Sequence, residues 1–209
     1  DLVDENRPDS VEHVFMLNEK DSYPAARDEA FELPVPEDVD YDGLCALLYT
    51  SGTTSLPKGV KLTNGAITGY VMGTNDAATG EDMGRMALAA PLYHIAGVTS
   101  MLNALYSGRV VVLLPQFEAS AWIETVQQHA VTHAFLVPTM LGRVMEAPNF
   151  SAGAFTEMEA ITYGAAPMPP SVIRRAIGEF PPNVSFAGAY GQTETTSTVA
   201  VLDPDDHRV

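Results

Sequence analysis

The chain has 209 residues, of which 46% are apolar, and a formal net charge of −16, a composition that suits a globular domain with a real core and excludes fibrous or disordered polymers. The acidic balance argues against nucleic acid and anionic membranes as partners, and no apolar run reaches the roughly 18 residues of a membrane helix. The lone cysteine, Cys45, excludes an internal disulfide framework and fits a reducing compartment, and the acidic start DLVDENRPDS is neither a signal nor a transit peptide, so a cytoplasmic location is expected.

Val11–Leu17 alternates as a strand does, Pro24–Phe31 reads as a short helix, and the acidic, proline-bearing stretch Glu32–Asp42 reads as a surface connection. Leu44–Tyr49 is a short apolar strand that feeds into the loop Thr50–Ser55, and Gly59–Leu62 is a second strand. Asn64–Met72 is a helix capped near Thr63. Arg85–Ala90 is a strand, Ile95–Tyr106 an apolar helix and Val110–Leu114 a buried strand. Ala121–Ala130 is a helix with Trp122, Ile123, Val126 and Ala130 on one face, followed by strand His133–Val137 and helix Thr139–Met145. Ala160–Tyr163 is a strand, and Pro170–Phe180 a helix whose inward face is Val172, Ile173, Ala176, Ile177 and Phe180. Val184–Phe186 is a strand followed by a glycine-rich loop. Strands and helices that alternate with short connections predict an α/β fold with a mostly parallel sheet flanked by helices. Ligands of such sheets sit beyond the carboxyl ends of the strands, so the segments Thr50–Ser55, Tyr163–Pro167 and Ala187–Glu194 are expected to gather at one edge.

Four segments carry chemistry. In Tyr49-Thr50-Ser51-Gly52-Thr53-Thr54-Ser55-Leu56-Pro57-Lys58-Gly59-Val60, hydroxyls, backbone N–H groups and Lys58 can surround an anion. A Ser/Thr/Gly run by itself is more often a hairpin turn. It is not a Walker loop, because Pro57 precedes the lysine and no helix-opening Lys-Ser/Thr follows. In Gly188-Ala189-Tyr190-Gly191-Gln192-Thr193-Glu194-Thr195, an aromatic ring can stack on a base and a hydroxyl can donate to a phosphate. A carboxylate beside phosphates implies Mg²⁺ between them; the other reading of this segment is a turn around a buried tyrosine. In Tyr163-Gly164-Ala165-Ala166-Pro167-Met168-Pro169, small residues allow a flat ligand close to the backbone, or simply make a strand-to-helix turn. In Pro91-Leu92-Tyr93-His94-Ile95-Ala96-Gly97, His94 is either a satisfied structural histidine or a site residue. His13, His129, His133 and His207 show no metal-ligand spacing, and Met83, Met86, Met101, Met140 and Met145 read as core filling.

These four segments, in this order, resemble the adenylate-forming (AMP-binding) superfamily, which includes acyl-CoA synthetases, luciferases and peptide-synthetase adenylation domains. The first departs from the family pattern at Ser55, where glycine is usual. The Pro-Leu-aromatic-His segment resembles the acyl-CoA synthetase branch, and the peptide-synthetase Phe-Asp pair that holds a substrate amine is missing from it. The resemblance implies that Thr50, Ser51, Gly52, Thr53, Thr54, Ser55 and Lys58 hold the ATP phosphates. It implies that Gly164, Ala165, Ala166 and Pro167, with Gly188, Ala189, Tyr190 and Gly191, line the adenine and acyl pockets. By the same resemblance Thr193 contacts the α-phosphate, Glu194 binds Mg²⁺, and His94 borders the acyl and thiol entry routes. The implied reaction is ATP-dependent activation of a carboxylic acid to an acyl-adenylate, then thioester formation with coenzyme A. The chain, residues 1–209, resembles the central part of the family's large N-terminal domain, and the family's small C-terminal domain has no counterpart in it. Two other readings are a stand-alone nucleotide-binding module without catalysis and an adenylation domain feeding a carrier protein.

Overall fold

The computed structural model describes residues 39–51 and 56–208. The expected strand Val11–Leu17, the helix Pro24–Phe31, most of the connection after it, and loop residues Gly52, Thr53, Thr54 and Ser55 lie outside the described residues.

Strands β1 (Leu44–Thr50) and β2 (Lys58–Thr63) form an antiparallel hairpin with Thr50 opposite Lys58. At its end Thr63 caps helix α1 (Asn64–Thr74), its hydroxyl accepting from the Ala66 N–H at 3.1 Å. Leu62, Ile67 and Val71 bury against Ile95, which joins the hairpin and α1 to helix α2 (Ile95–Tyr106).

The main sheet has six strands: β3 (Arg85–Leu88), β4 (Val110–Leu113), β5 (His133–Leu136), β6 (Ala160–Gly164), β7 (Ser185–Gln192) and β8 (Ser197–Leu202). Their spatial order is β4-β3-β5-β6-β7-β8, parallel throughout except for the antiparallel β7–β8 pair. The expected mostly parallel α/β sheet is therefore present.

Alternation along the strands gives the sheet two different sides. Ala134, Leu136, Ile161, Tyr163 and Phe186 point to one side. There they pack with Trp122, Ile123 and Val126 of helix α3 (Ala119–Gln128), Leu141, Val144 and Met145 of helix α4 (Pro138–Glu146), and Ala176 of helix α5 (Pro170–Glu179). Phe155 and Phe180, with ring centroids 4.6 Å apart, close the lower end of this core. Met86, Leu88 and Phe135 point to the other side, beneath Ala104 of α2.

Several expectations need correction. Strand Val110–Leu113 is a sheet edge, not a buried strand: Val110 is 57% exposed and Leu113 56%. An apolar, β-branched run reports a strand but not whether a neighbour lies on its far side. Ala130 is not on the face of α3; the helix ends at Gln128 and Ala130 sits at φ 47° in the turn beyond. Ile177 faces outward from α5, 40% exposed, because that short helix buries a narrow stripe centred on Ala176. The strand expected at Val184–Phe186 runs on to Gln192, so Ala187–Gln192 is strand, not loop, and β8 was not anticipated at all.

Candidate active site

Strands β6 and β7 lie side by side, pairing Tyr163 with Gly188 and Gly164 with Ala189. Past β6 the chain turns sharply through Ala165, whose φ of 64° is left-handed for a residue with a Cβ, a conformation costing roughly 1 kcal/mol and common at binding sites. Pro169 and Pro170 then open α5. Ala165, Ala166 and Pro167 face Tyr190 and Gly191 across a cavity of about 630 Å³ with mainly apolar walls. Tyr190 is 74% exposed, which excludes the reading of this segment as a turn around a buried tyrosine.

The motif glycines have reasons within the protein. A Cβ on Gly188 would stand 2.9 Å from the Tyr163 hydroxyl, one on Gly164 2.5 Å from the Ala189 carbonyl oxygen, and one on Gly191 would overlap the Ser197 carbonyl. Close strand packing fixes these three glycines without any ligand.

Beyond β7, residues Thr193–Thr195 form one 3-10 turn, with the Thr195 hydroxyl 3.0 Å from the Gln192 carbonyl oxygen. Thr196 and Ser197 follow with φ of 58° and 93°. The turn holds Glu194 outward, exposed, and its carboxylate makes no hydrogen bond or ion pair with any described residue. Strand β2, which begins at Lys58, packs against this turn. Thr193 lines a second cavity of about 380 Å³ together with Ala165, Ala189, Gly191 and His94. His94 is the first residue before α2; its backbone, not its ring, meets the helix, and the exposed ring lies 4.7 Å from that of Tyr93.

The structure thus gathers Gly164, Ala165, Ala166, Pro167, Gly188, Ala189, Tyr190, Gly191, Thr193 and His94 around two adjoining cavities at the carboxyl edge of the sheet. Thr50 and Ser51, at the end of β1, and Lys58 and Glu194 lie outside these cavity walls. Gly52, Thr53, Thr54 and Ser55 belong to the residues that are not described.

Two features escaped the sequence. The Tyr163 hydroxyl is 2.7 Å from Nε2 of His207, whose Nδ1 is 2.8 Å from the Asp203 carbonyl oxygen. A carbonyl only accepts, so Nδ1 carries a proton, and in the neutral tautomer with that proton Nε2 accepts from the Tyr163 hydroxyl; burial raises the Tyr163 pKa above its ordinary value. No spacing rule connects positions that meet only through the fold. The other is a third cavity of about 240 Å³ between α2 and the sheet, lined in part by Ser100, Asn103, Arg109, His133 and Thr162. The signal for it was present in the alternation: on the α2 side β6 carries Ala160, Thr162 and Gly164, and β7 carries Ala187 and Ala189, too small to fill the space under a helix.

The chain is 35% identical over 183 residues to a feruloyl-CoA synthase of an Amycolatopsis species, covering 86% of this chain and 35% of that protein. It is 32% identical over 175 residues to the indoleacetate–CoA ligase of Aromatoleum aromaticum, covering 82% and 34%. Among solved structures it is similar to the O-succinylbenzoate coenzyme A synthetase of Bacillus subtilis in complex with ATP and a magnesium ion, with a TM-score of 0.68, 31% identity, and coverage of 84% of this chain and 36% of that one. The fold is also that of the inhibitor-bound N-terminal domain of FACL13 from Mycobacterium tuberculosis, with a TM-score of 0.76 at 24% identity over 89% of this chain and 46% of that one. The chain spans about a third of the length of the curated relatives it matches. The family model for AMP-binding enzymes matches residues 2–209, and the chain belongs to that family.

Proposed function

We propose that this chain forms the nucleotide- and acid-binding part of a cytoplasmic enzyme that activates a carboxylic acid as its acyl-adenylate and then transfers the acyl group to the thiol of coenzyme A. The observation that carries the reading is the pair of adjoining cavities at the carboxyl edge of the sheet, one mainly apolar between Pro167 and Tyr190, the other bordered by Thr193 and His94.

In this reading the adenine ring of ATP lies between Ala165–Pro167 and the face of Tyr190. The hydroxyl of Thr193 donates to the α-phosphate, and Lys58 with the loop 50–55 holds the β- and γ-phosphates; β2, which begins at Lys58, contacts the Thr193–Thr195 turn. The acid enters the cavity beside His94. Its carboxylate oxygen attacks the α-phosphorus; the bond to the β-phosphate breaks and pyrophosphate leaves. The coenzyme A sulfur then attacks the acyl carbon, and AMP leaves. The protein's contribution is position and fixed donors around developing charge. Glu194 suits Mg²⁺: it is an exposed carboxylate with no protein partner among the described residues, on the turn that carries Thr193, and a bound hard cation would offset phosphate charge there.

The test is ATP–pyrophosphate exchange by the full-length protein across a panel of aryl and aliphatic acids, followed by thioester formation with coenzyme A; this chain alone is expected to turn over poorly. Exchange that depends on the acid supports the reading. Tight AMP binding with no exchange for any acid makes the protein a nucleotide-binding module instead.

A further inference from the structure

We infer that the acid this enzyme activates carries a second carboxylate at the end remote from the one activated, and that Arg109 receives it. The inference rests on the assignment of the outer cavity to the acid. That cavity and the inner one share Ala96, Phe135, Ala189, Ser197 and Thr198 in their walls, so the two adjoin. The outer cavity lies at His94, where α2 begins. The inner one reaches Arg109 and His133, where β4 and β5 begin, at the opposite edge of the sheet. The 12 residues of α2 between these ends give a path of about 18 Å.

The far end of that path has the wrong chemistry for a hydrocarbon tail. The Nε of Arg109 and the Oδ1 of Asn103 are buried and have no hydrogen-bond partner. No ion pair involves Arg109 among the described residues; Asp82, Glu157 and Glu159 share a groove with it on its outer side but stay beyond ion-pair distance. Burial, then the charge of Arg109, lowers the pKa of His133 against the opposing pull of Glu159, which favours the neutral imidazole beside the guanidinium. Arg109 is half-buried with no ion-pair partner among the described residues, and a carboxylate supplied by the ligand matches a guanidinium fork. The hydroxyls of Ser100 and Thr162 line the same space, and turning over the Asn103 amide presents two more donors. A monocarboxylic fatty acid would press its methyl end against Arg109 and gain no ion pair there.

The experiment is ATP–pyrophosphate exchange with straight-chain dicarboxylates from succinate to dodecanedioate, each beside the monocarboxylate and the ω-hydroxy acid of equal length. At the best length the dicarboxylate is expected to exceed both in kcat/KM by at least about tenfold, since a site built for a polar group rejects the analogue that lacks it. Arg109→Met, which keeps the apolar stem, is expected to cancel that preference, and Asn103→Asp to reduce it by repulsion; the second variant and the ladder on the unaltered protein stand if the first fails to fold. Equal use of monocarboxylates or ω-hydroxy acids, or a preference untouched by Arg109→Met, overturns the inference while the ligase assignment stands. Absence of exchange with every acid overturns that assignment and this inference together.

Discussion

Tyr190 is 74% exposed and has almost no packing to lose. If its ring stacks on adenine, Tyr190→Ala removes a contact worth about 1–3 kcal/mol and raises the KM for ATP roughly tenfold or more, while Tyr190→Phe leaves it near normal. Neither change should move the melting temperature; a fall in stability with unchanged KM would make the ring structural. Glu194→Gln separates two readings in the same way. Pyrophosphate exchange should drop steeply and recover in part as Mg²⁺ is raised, because the cation prefers an anionic oxygen. Normal exchange with a lowered melting temperature would end the metal-ligand assignment. At this scale the residues with distinctive side chains in a recognisable order, Tyr190, Thr193 and His94, were legible in the sequence. Arg109, His133 and His207 were not, because what marks them is a buried nitrogen without a partner, a shared cavity wall or a partner far along the chain, and none of these leaves a local pattern.

Helices α1 and α3 start on side-chain caps that can be tested directly. Thr63→Ala removes the acceptor for the Ala66 N–H and should cost about 1 kcal/mol in thermal or denaturant unfolding. Glu118 accepts from Ala121 N–H at 2.7 Å and Ser120 N–H at 3.1 Å, and those two bonds hold its pKa below the ordinary carboxylate value. A depressed folded-state pKa means stability that is present above the unfolded value and is lost as pH falls through the folded one. Unfolding titrated from neutral to acidic pH should therefore show a loss of stability that is smaller in Glu118→Gln; an identical acid profile in the variant would refute the link. Among the described residues, element types followed from periodicity almost throughout, and Ile95–Tyr106 was placed to the residue. The failures share a cause. Gly188 and Gly191 look like loop glycines, yet Tyr163 and Ser197, from neighbouring strands, are what demand them, so β7 was cut short and β8 hidden. Val110–Leu113 was read as interior because its composition says strand while its position in the sheet order is set by the rest of the chain.

At the scale of the molecule, the two sides of the sheet divide the labour. Ile161 is fully buried among the α3–α5 helices, whereas its neighbour Thr162 faces the cavity under α2. Ile161→Ala should cost about 2–5 kcal/mol of stability and leave the ranking of acids alone. Thr162→Leu should shorten or narrow the acids accepted while melting changes little, since it adds atoms to open space. One residue step along a strand thus separates two kinds of heritable change. If the cavity under α2 receives the acid, then, because the pleat sends successive side chains to opposite sides, a lineage can alter what it activates through substitutions that the folding equilibrium barely registers. Selection for a new substrate and selection against unfolding then act on different letters of the same short strand, which makes β6 and β7 the place to begin a library that diversifies specificity without first stabilising the scaffold.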